Sequence, residues 1–369
     1  MPSPTTPPGG SAARSGSDIA APLLGSGGFV GRRLVCSLGL VLVAAPAVPT
    51  AARAQAAELP DRDRRRLAEA LRIADQVRDR VWPGWQRTPL AVLLVADSAE
   101  FLIRHPRPSD GFVRLRHDPL LKSDVWTRPR RFPPTMLATF PAVGGLPTIV
   151  VGTAERTGKS STGWVLTLMH EHFHQWQYSR PDYYEGVAGL DLAGVDTTGQ
   201  WMLDYRFPYD SAPVQLAVRR LADALGQALD APPSARAEAL SAAVEAREAL
   251  RRSLAAADYR YMEFQLWQEG VARFIEYAAA GAAAAVVEPD PAFRSLSDYE
   301  AYDAAAARAI RDIRQELEQL SLERERRVAF YPLGAAIALL LDQTRPDWKR
   351  IYFERPYALA ALLPCLPPR

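Results

Sequence analysis

Three of the chain's five histidines fall within five residues, in the segment Leu168-Met169-His170-Glu171-His172-Phe173-His174-Gln175-Trp176. The residues around them (Trp164, Val165, Leu166, Phe173, Trp176) are apolar. The pattern predicts a helix from Trp164 to Tyr178, ended by Arg180-Pro181. A helix this apolar belongs inside a protein, and imidazoles buried with it need partners. Residues four apart on a helix are one turn apart and about 40° apart in angle. His170 and His174 can therefore aim at one ion. Glu171 is rotated by about 100° from His170, which suits a carboxylate that approaches an activated water without binding the metal. This is the division of labour in zinc hydrolases, with Glu171 as general base. His172 lies about 200° from His170 and reads as a packing residue.

A catalytic zinc takes three protein ligands and keeps one position open. His105 and His117 are available upstream. The better third ligand is Glu269, in Trp267-Gln268-Glu269-Gly270-Val271-Ala272-Arg273-Phe274-Ile275-Glu276-Tyr277. Glu269 and Glu276 are seven apart and share a helix face. Glu276 can then hydrogen-bond a ligand histidine from behind. The apolar neighbours Leu266, Trp267, Val271, Phe274 and Ile275 argue against a merely solvated face.

These segments resemble the gluzincin metallopeptidases, and the aminopeptidase N family in particular. The likeness lies in H-E-x-x-H-Q-W at 170–176, in E-G-x-A followed by an aromatic and Glu-Tyr at 269–277, and in Y-x-x-G-A at 331–335. It implies a thermolysin-like fold and Glu269 as third zinc ligand. It also implies Tyr331 as the hydroxyl that stabilises the oxyanion. The resemblance covers three short segments, and two departures matter. His174 and Glu269 are 95 positions apart, so a long segment must fold out and return. The strand before the motif helix, Val143-Gly144-Gly145-Leu146-Pro147-Thr148-Ile149-Val150-Val151-Gly152-Thr153, lacks the family's Gly-x-Met-Glu-Asn element. Its grip on a free substrate amine is therefore not carried over. The strand could still align a peptide by edge pairing, as an endopeptidase would need.

The rest of the chain reads as a mostly helical α+β protein. Residues 1–29 are small and polar and are expected to be disordered. Residues 30–54 place Arg32-Arg33 before an apolar run and Ala52-Arg53-Ala54, the order of a signal peptide. Export to the periplasm or outside the cell is expected, with an uncleaved membrane anchor as the alternative. Removing residues 1–54 takes four Arg and one Asp from 44 basic and 42 acidic residues, which leaves a nearly neutral chain. Nothing then points to nucleic acid.

Residues 55–160 are expected to form an α/β subdomain. It would hold a helix at 61–81, a strand at 89–96, loops around short strands at 105–146 and a strand at 147–153. The Gly-Lys-Ser-Ser-Thr-Gly run at 158–163 lacks P-loop spacing. Residues 161–369 are expected to be the helical catalytic subdomain. After an irregular connection at 182–212, helices are expected near 214–229, 234–256, 259–282, 297–325 and 332–343, with a frayed tail from 364. The whole reads as a zinc metallopeptidase acting on a peptide or protein. The alternatives are a zinc hydrolase of an ester or cell-wall amide, and a non-catalytic exported module.

Overall fold

The computed structural model describes residues 58–363; the expected disordered extension, signal segment and frayed tail lie outside them. The chain opens with helix α1 (Asp61–Val81) and a 3-10 turn (Trp85–Arg87). Six strands follow: β1 (Val92–Val95), β2 (Ala99–Ile103), β3 (Val113–Asp118), β4 (Ser123–Pro129), β5 (Leu137–Val143) and β6 (Leu146–Gly152). They make one sheet in the order β3-β4-β2-β1-β6-β5. Only β1 and β6 run parallel, with Val92 opposite Ile149 and Leu94 opposite Val151; every other pair is antiparallel.

The remaining described chain is helical. Helix α2 (Ser161–Tyr178) is followed by the short α3 (Tyr183–Ala188) and α4 (Trp201–Asp204). A hairpin of α5 (Ala212–Asp230) and α6 (Arg236–Ser253) leads to α7 (Ala256–Gln265), a π-helical turn (Leu266–Gly270) and α8 (Val271–Val286). Then come α9 (Pro291–Arg294), α10 (Tyr302–Glu318), α11 (Leu322–Glu325), a 3-10 turn (Arg326–Ala329), α12 (Phe330–Thr344) and α13 (Trp348–Glu354). The architecture is mixed α+β with helix dominant. No described helix is long and apolar enough to cross a membrane.

Strand alternation divides the sheet between two apolar layers. Val92, Leu94, Phe101, Ile103, Ile149 and Val151 join the main core with the helices. Leu93, Val95, Leu102, Phe140, Val143 and Val150 form a smaller cluster on the other face. Residue 160 divides the chain where the sheet ends, but in space α1 packs on both α2 and α8, and one core runs across that point.

The sequence reading needs correction in three places. Residues 105–146 hold three strands of six or seven residues rather than mostly loop. Their pattern was masked because β3 exposes Val113 and three of its polar side chains, while β5 contains Pro141. A proline is tolerated there because β5 is an edge strand, and the β5–β6 register slips between Phe140 and Val143. The strand before α2, β6, is not an edge: β1 and β5 pair with both of its sides. Finally, the helix expected over 297–325 is two helices, and α13 was not anticipated.

Helix α2 is the central element. Ser160 caps it by accepting a hydrogen bond from the Gly163 amide at 3.1 Å. All but two of its residues are buried or line the core, as its apolar composition requires. Gln175 ties it to the sheet. Its amide nitrogen donates to the carbonyls of Ala91 and Pro147, both at 3.0 Å, and its oxygen lies 2.8 Å from Nδ1 of His172. His172 faces away from the other two histidines, toward Arg78 and the ring of Trp85. Burial, and then the Arg78 charge, push it down to about 3. It is a neutral packing residue. Replacing Gln175 with Leu would strand the His172 Nδ1 in the core and remove this donor from the Pro147 carbonyl, while the Ala91 carbonyl keeps the Ile149 amide. The substitution is expected to lower stability by about 3 kcal/mol, read as a fall in the midpoint of urea unfolding at unchanged slope.

Candidate metal centre

One helical turn places His170 directly behind His174, with their Nε2 atoms 3.2 Å apart. Oε2 of Glu269 closes the triangle at 3.7 Å from His170 Nε2 and 3.4 Å from His174 Nε2. All three candidate ligand atoms lie within 4.8 Å of one another. Two bonds of about 2.0–2.1 Å at a tetrahedral angle would set ligand atoms about 3.4 Å apart. The triangle is of that size, and both histidines are buried.

The outer hydrogen bonds fix which imidazole nitrogens point inward. His170 Nδ1 is 3.0 Å from Oε1 of Glu276 on α8. His174 Nδ1 is 2.7 Å from Oε1 of Gln177, whose own amide nitrogen donates to Tyr352 Oη and the Gln268 carbonyl. Both acceptors call for a proton on Nδ1, which leaves Nε2 as a lone pair. Two lone pairs and a carboxylate then converge on one point. Such an arrangement repels itself unless a positive charge sits in it. In the protein alone that charge is a proton. Burial opposes it, but Glu269 and Glu276 raise His170 to about 10. Burial likewise opposes the charge on Glu269, yet His174, His170 and then Arg327 hold its carboxyl well below the usual range. A divalent cation fits the same place and the same donors. The three side chains could hold a metal ion.

Glu276 carries its own support. Arg273 donates to its Oε2 at 2.7 Å and to Glu316 at 2.9 Å. Burial works against its charge, but Arg273 and then His170 bring it down to about 2. The histidine thus faces a full carboxylate.

Glu269 sits in the π-helical turn, where one extra residue per turn displaces its side chain from the regular helical track. The turn is pinned by a backbone contact. A Cβ on Gly270 would meet the Gly334 Cα at 2.4 Å, and one on Gly334 would meet the Gly270 Cα and Leu266 carbonyl oxygen at 2.6 Å. Gly334 lies on α12, the helix that carries Tyr331. Glu269 and Tyr331 are therefore held in mutual register by two glycines in contact.

Glu171 is 5% exposed and outside the triangle. Thr139 Oγ1 on β5 lies 2.8 Å from its Oε2 and 2.9 Å from its backbone carbonyl. Tyr331 lines the same cleft, its ring stacked at 6.4 Å from that of His170, and Arg327 donates to its hydroxyl at 2.7 Å. The cleft, about 890 Å³ to its open mouth, runs between β5 and the helices, with Met202 and Leu203 from α4 on its far wall. All five residues assigned to metal and chemistry (His170, Glu171, His174, Glu269, Tyr331) line it, and Glu276 stands behind His170. His117 instead pairs with Asp124 on the exposed β3–β4 hairpin, and His105 Nδ1 accepts from the Arg107 amide.

Sequence reasoning missed Thr139, Gln177 and Arg327. Gln177 carried a usable signal, three residues after His174 on a helix too apolar to bury an idle amide. Thr139 and Arg327 lie in segments distant in sequence and gave none. Comparison with protein-family profiles, curated proteins and solved structures finds no match to this chain.

Two substitutions test the geometry. Glu276→Gln keeps an acceptor for His170 but removes the charge. It is expected to weaken metal affinity about 10- to 100-fold, read by competition with a chelating dye. Gly334→Ala forces the two helices apart. It should cost about 1–3 kcal/mol of stability and weaken metal retention too, whereas an alanine elsewhere on α12 would leave the metal in place.

Proposed function

We propose that the protein is a zinc-dependent hydrolase of peptide bonds with a gluzincin-like arrangement. The observation that carries this reading is the convergence of two imidazole lone pairs and a carboxylate beside a second carboxylate, Glu171, that is not part of the triangle. A structural site has no use for that fourth group; a hydrolytic one does. A His-His-Glu set with an open position is used by catalytic zinc and equally by ferrous iron; the carboxylate of Glu171 beside it is what favours the hydrolytic metal.

His170, His174 and Glu269 would hold the zinc, which when bound supplies Lewis acidity toward a water and the scissile carbonyl. Glu171 takes the proton of the attacking water and returns it to the leaving amine. Thr139 occupies one of its oxygens, so the other is the proton-handling atom. Tyr331 offers its hydroxyl to the carbonyl oxygen as negative charge develops there.

Substrate alignment is assigned to β5, the edge of the sheet, in place of the strand that precedes the motif helix. Among the described residues no strand pairs with its outer side, and Leu137 through Pro141 line the cleft. An extended peptide could add there as a further strand, which suits cleavage within a chain. Export remains a proposal resting on residues 30–54.

Elemental analysis of the full chain is expected to find about one zinc per molecule, with Glu269→Ala losing most of it. Glu171→Gln should keep the zinc and lower peptide cleavage by about 10²–10⁴-fold. A folded, chelator-free wild type without zinc would sink the hydrolase reading. Zinc retained fully in Glu269→Ala would require another third ligand.

A further inference from the structure

Arg327 lies four residues before Tyr331, in the 3-10 turn that feeds α12. The turn is entered through Arg326 at φ 52° and ψ −129°, a conformation that a residue with a Cβ rarely adopts. That backbone is held in place from outside. Arg326 pairs with Asp210 at 3.0 Å, and its guanidinium lies 5.1 Å from the centre of the Tyr209 ring. The result is that two consecutive arginines point opposite ways. Arg326 is at the surface, while Arg327 is 8% exposed and lines the cleft.

The chemistry of the Arg327–Tyr331 contact has only one direction. A guanidinium donates and cannot accept. At 2.7 Å from Nη1, the Tyr331 oxygen must therefore be the acceptor. That use of the oxygen leaves its own proton to be directed elsewhere, and it is donated to the carboxylate of Glu269, which lines the same cleft 4.0 Å from Arg327. We infer that Arg327 is a positioning residue: by filling the acceptor side of the Tyr331 hydroxyl, it aims that proton at the carbonyl oxygen of a substrate bound beside Glu269. This rests on the hydrolase reading above. Because a guanidinium stays charged at any working pH, it also sets a permanent positive charge behind the phenol, where negative charge builds up.

The test uses the zinc-loaded full chain as wild type, Arg327→Met, Arg327→Lys, Tyr331→Phe and the Met/Phe double variant. The readouts are zinc content, thermal midpoint, kcat and KM on a peptide substrate, and calorimetric binding of the tetrahedral probe N-phosphoryl-Leu-Phe. Arg327→Met is expected to keep its zinc, to lose about 10- to 100-fold in kcat and in probe affinity, and to change KM by about twofold at most. Arg327→Lys should recover part of the loss. In the Tyr331→Phe background, the Met substitution should cost nothing further, because there is no hydroxyl left to aim.

A loss confined to KM, or an equal loss with and without the Tyr331 hydroxyl, would overturn the proposal. 3-Fluorotyrosine placed at position 331 gives a reading independent of activity. Its ¹⁹F resonance should move in Arg327→Met with and without zinc, and an unmoved resonance in a folded variant would also overturn it. If wild type cleaves no peptide and binds no probe, the hydrolase reading fails. The positioning role falls with it, and a moved ¹⁹F signal would then mark a packing bond only.

Discussion

Two imidazole nitrogens that both present lone pairs, 3.2 Å apart in a buried place, cannot be left as they are. A proton on His170 relieves them in the protein alone and a metal ion could do so in its place, and the surrounding structure keeps both nitrogens turned toward each other. Glu276 and Gln177 hold the Nδ1 protons, Arg273 keeps Glu276 ionised, and Glu269 brings the balancing charge. Gln177 acts from within the histidine helix, while Glu269, Arg273 and Glu276 all come from the π-helical turn and α8. A shift of α2 along its axis would break its bonds to Glu269 and Glu276 together.

That demand explains why α2 is fastened so heavily. Gln175 bonds β6 and the residue that leads into β1, Gln177 bonds the π-helical turn and Tyr352, and Thr139 bonds the backbone of Glu171. The polar side chains of the helix are consumed in holding it, apart from those aimed into the cleft. Its apolar side chains then fill the core on every remaining side. Of the buried polar side-chain atoms of this apolar helix, only the indole nitrogen of Trp176 is left without a partner.

The site was largely legible in the sequence because its geometry is local. His170, Glu171 and His174 follow from helical spacing alone, and Glu276 follows from its seven-residue offset from Glu269. Tyr331 was reached by resemblance, and the cleft does contain it. The sheet was less legible. Edge strands such as β3 and β5 bury only part of their surface, so neither shows the unbroken apolar run that marked β1 and β6. Which strand forms the edge depends on pairing order, which no local pattern encodes. Arg327 escaped for a similar reason: its inward turn follows the positive-φ backbone of Arg326, which no local pattern in the sequence marks.

The 95-residue excursion between His174 and Glu269 has an entropic meaning. Closing a loop of that length costs entropy that no local contact repays, so bringing Glu269 to the histidines depends on long-range packing of the helices. Within the excursion, α5 and α6 pair with each other and α5 packs on α12, so the segment that separates Glu269 from the histidines is itself tied into the helical half. Without Glu269, two histidines on one helix form only a weak chelate. Tight capture of a metal by all three side chains would therefore report that this long-range contact has formed, which a metal bound to the two histidines alone would not.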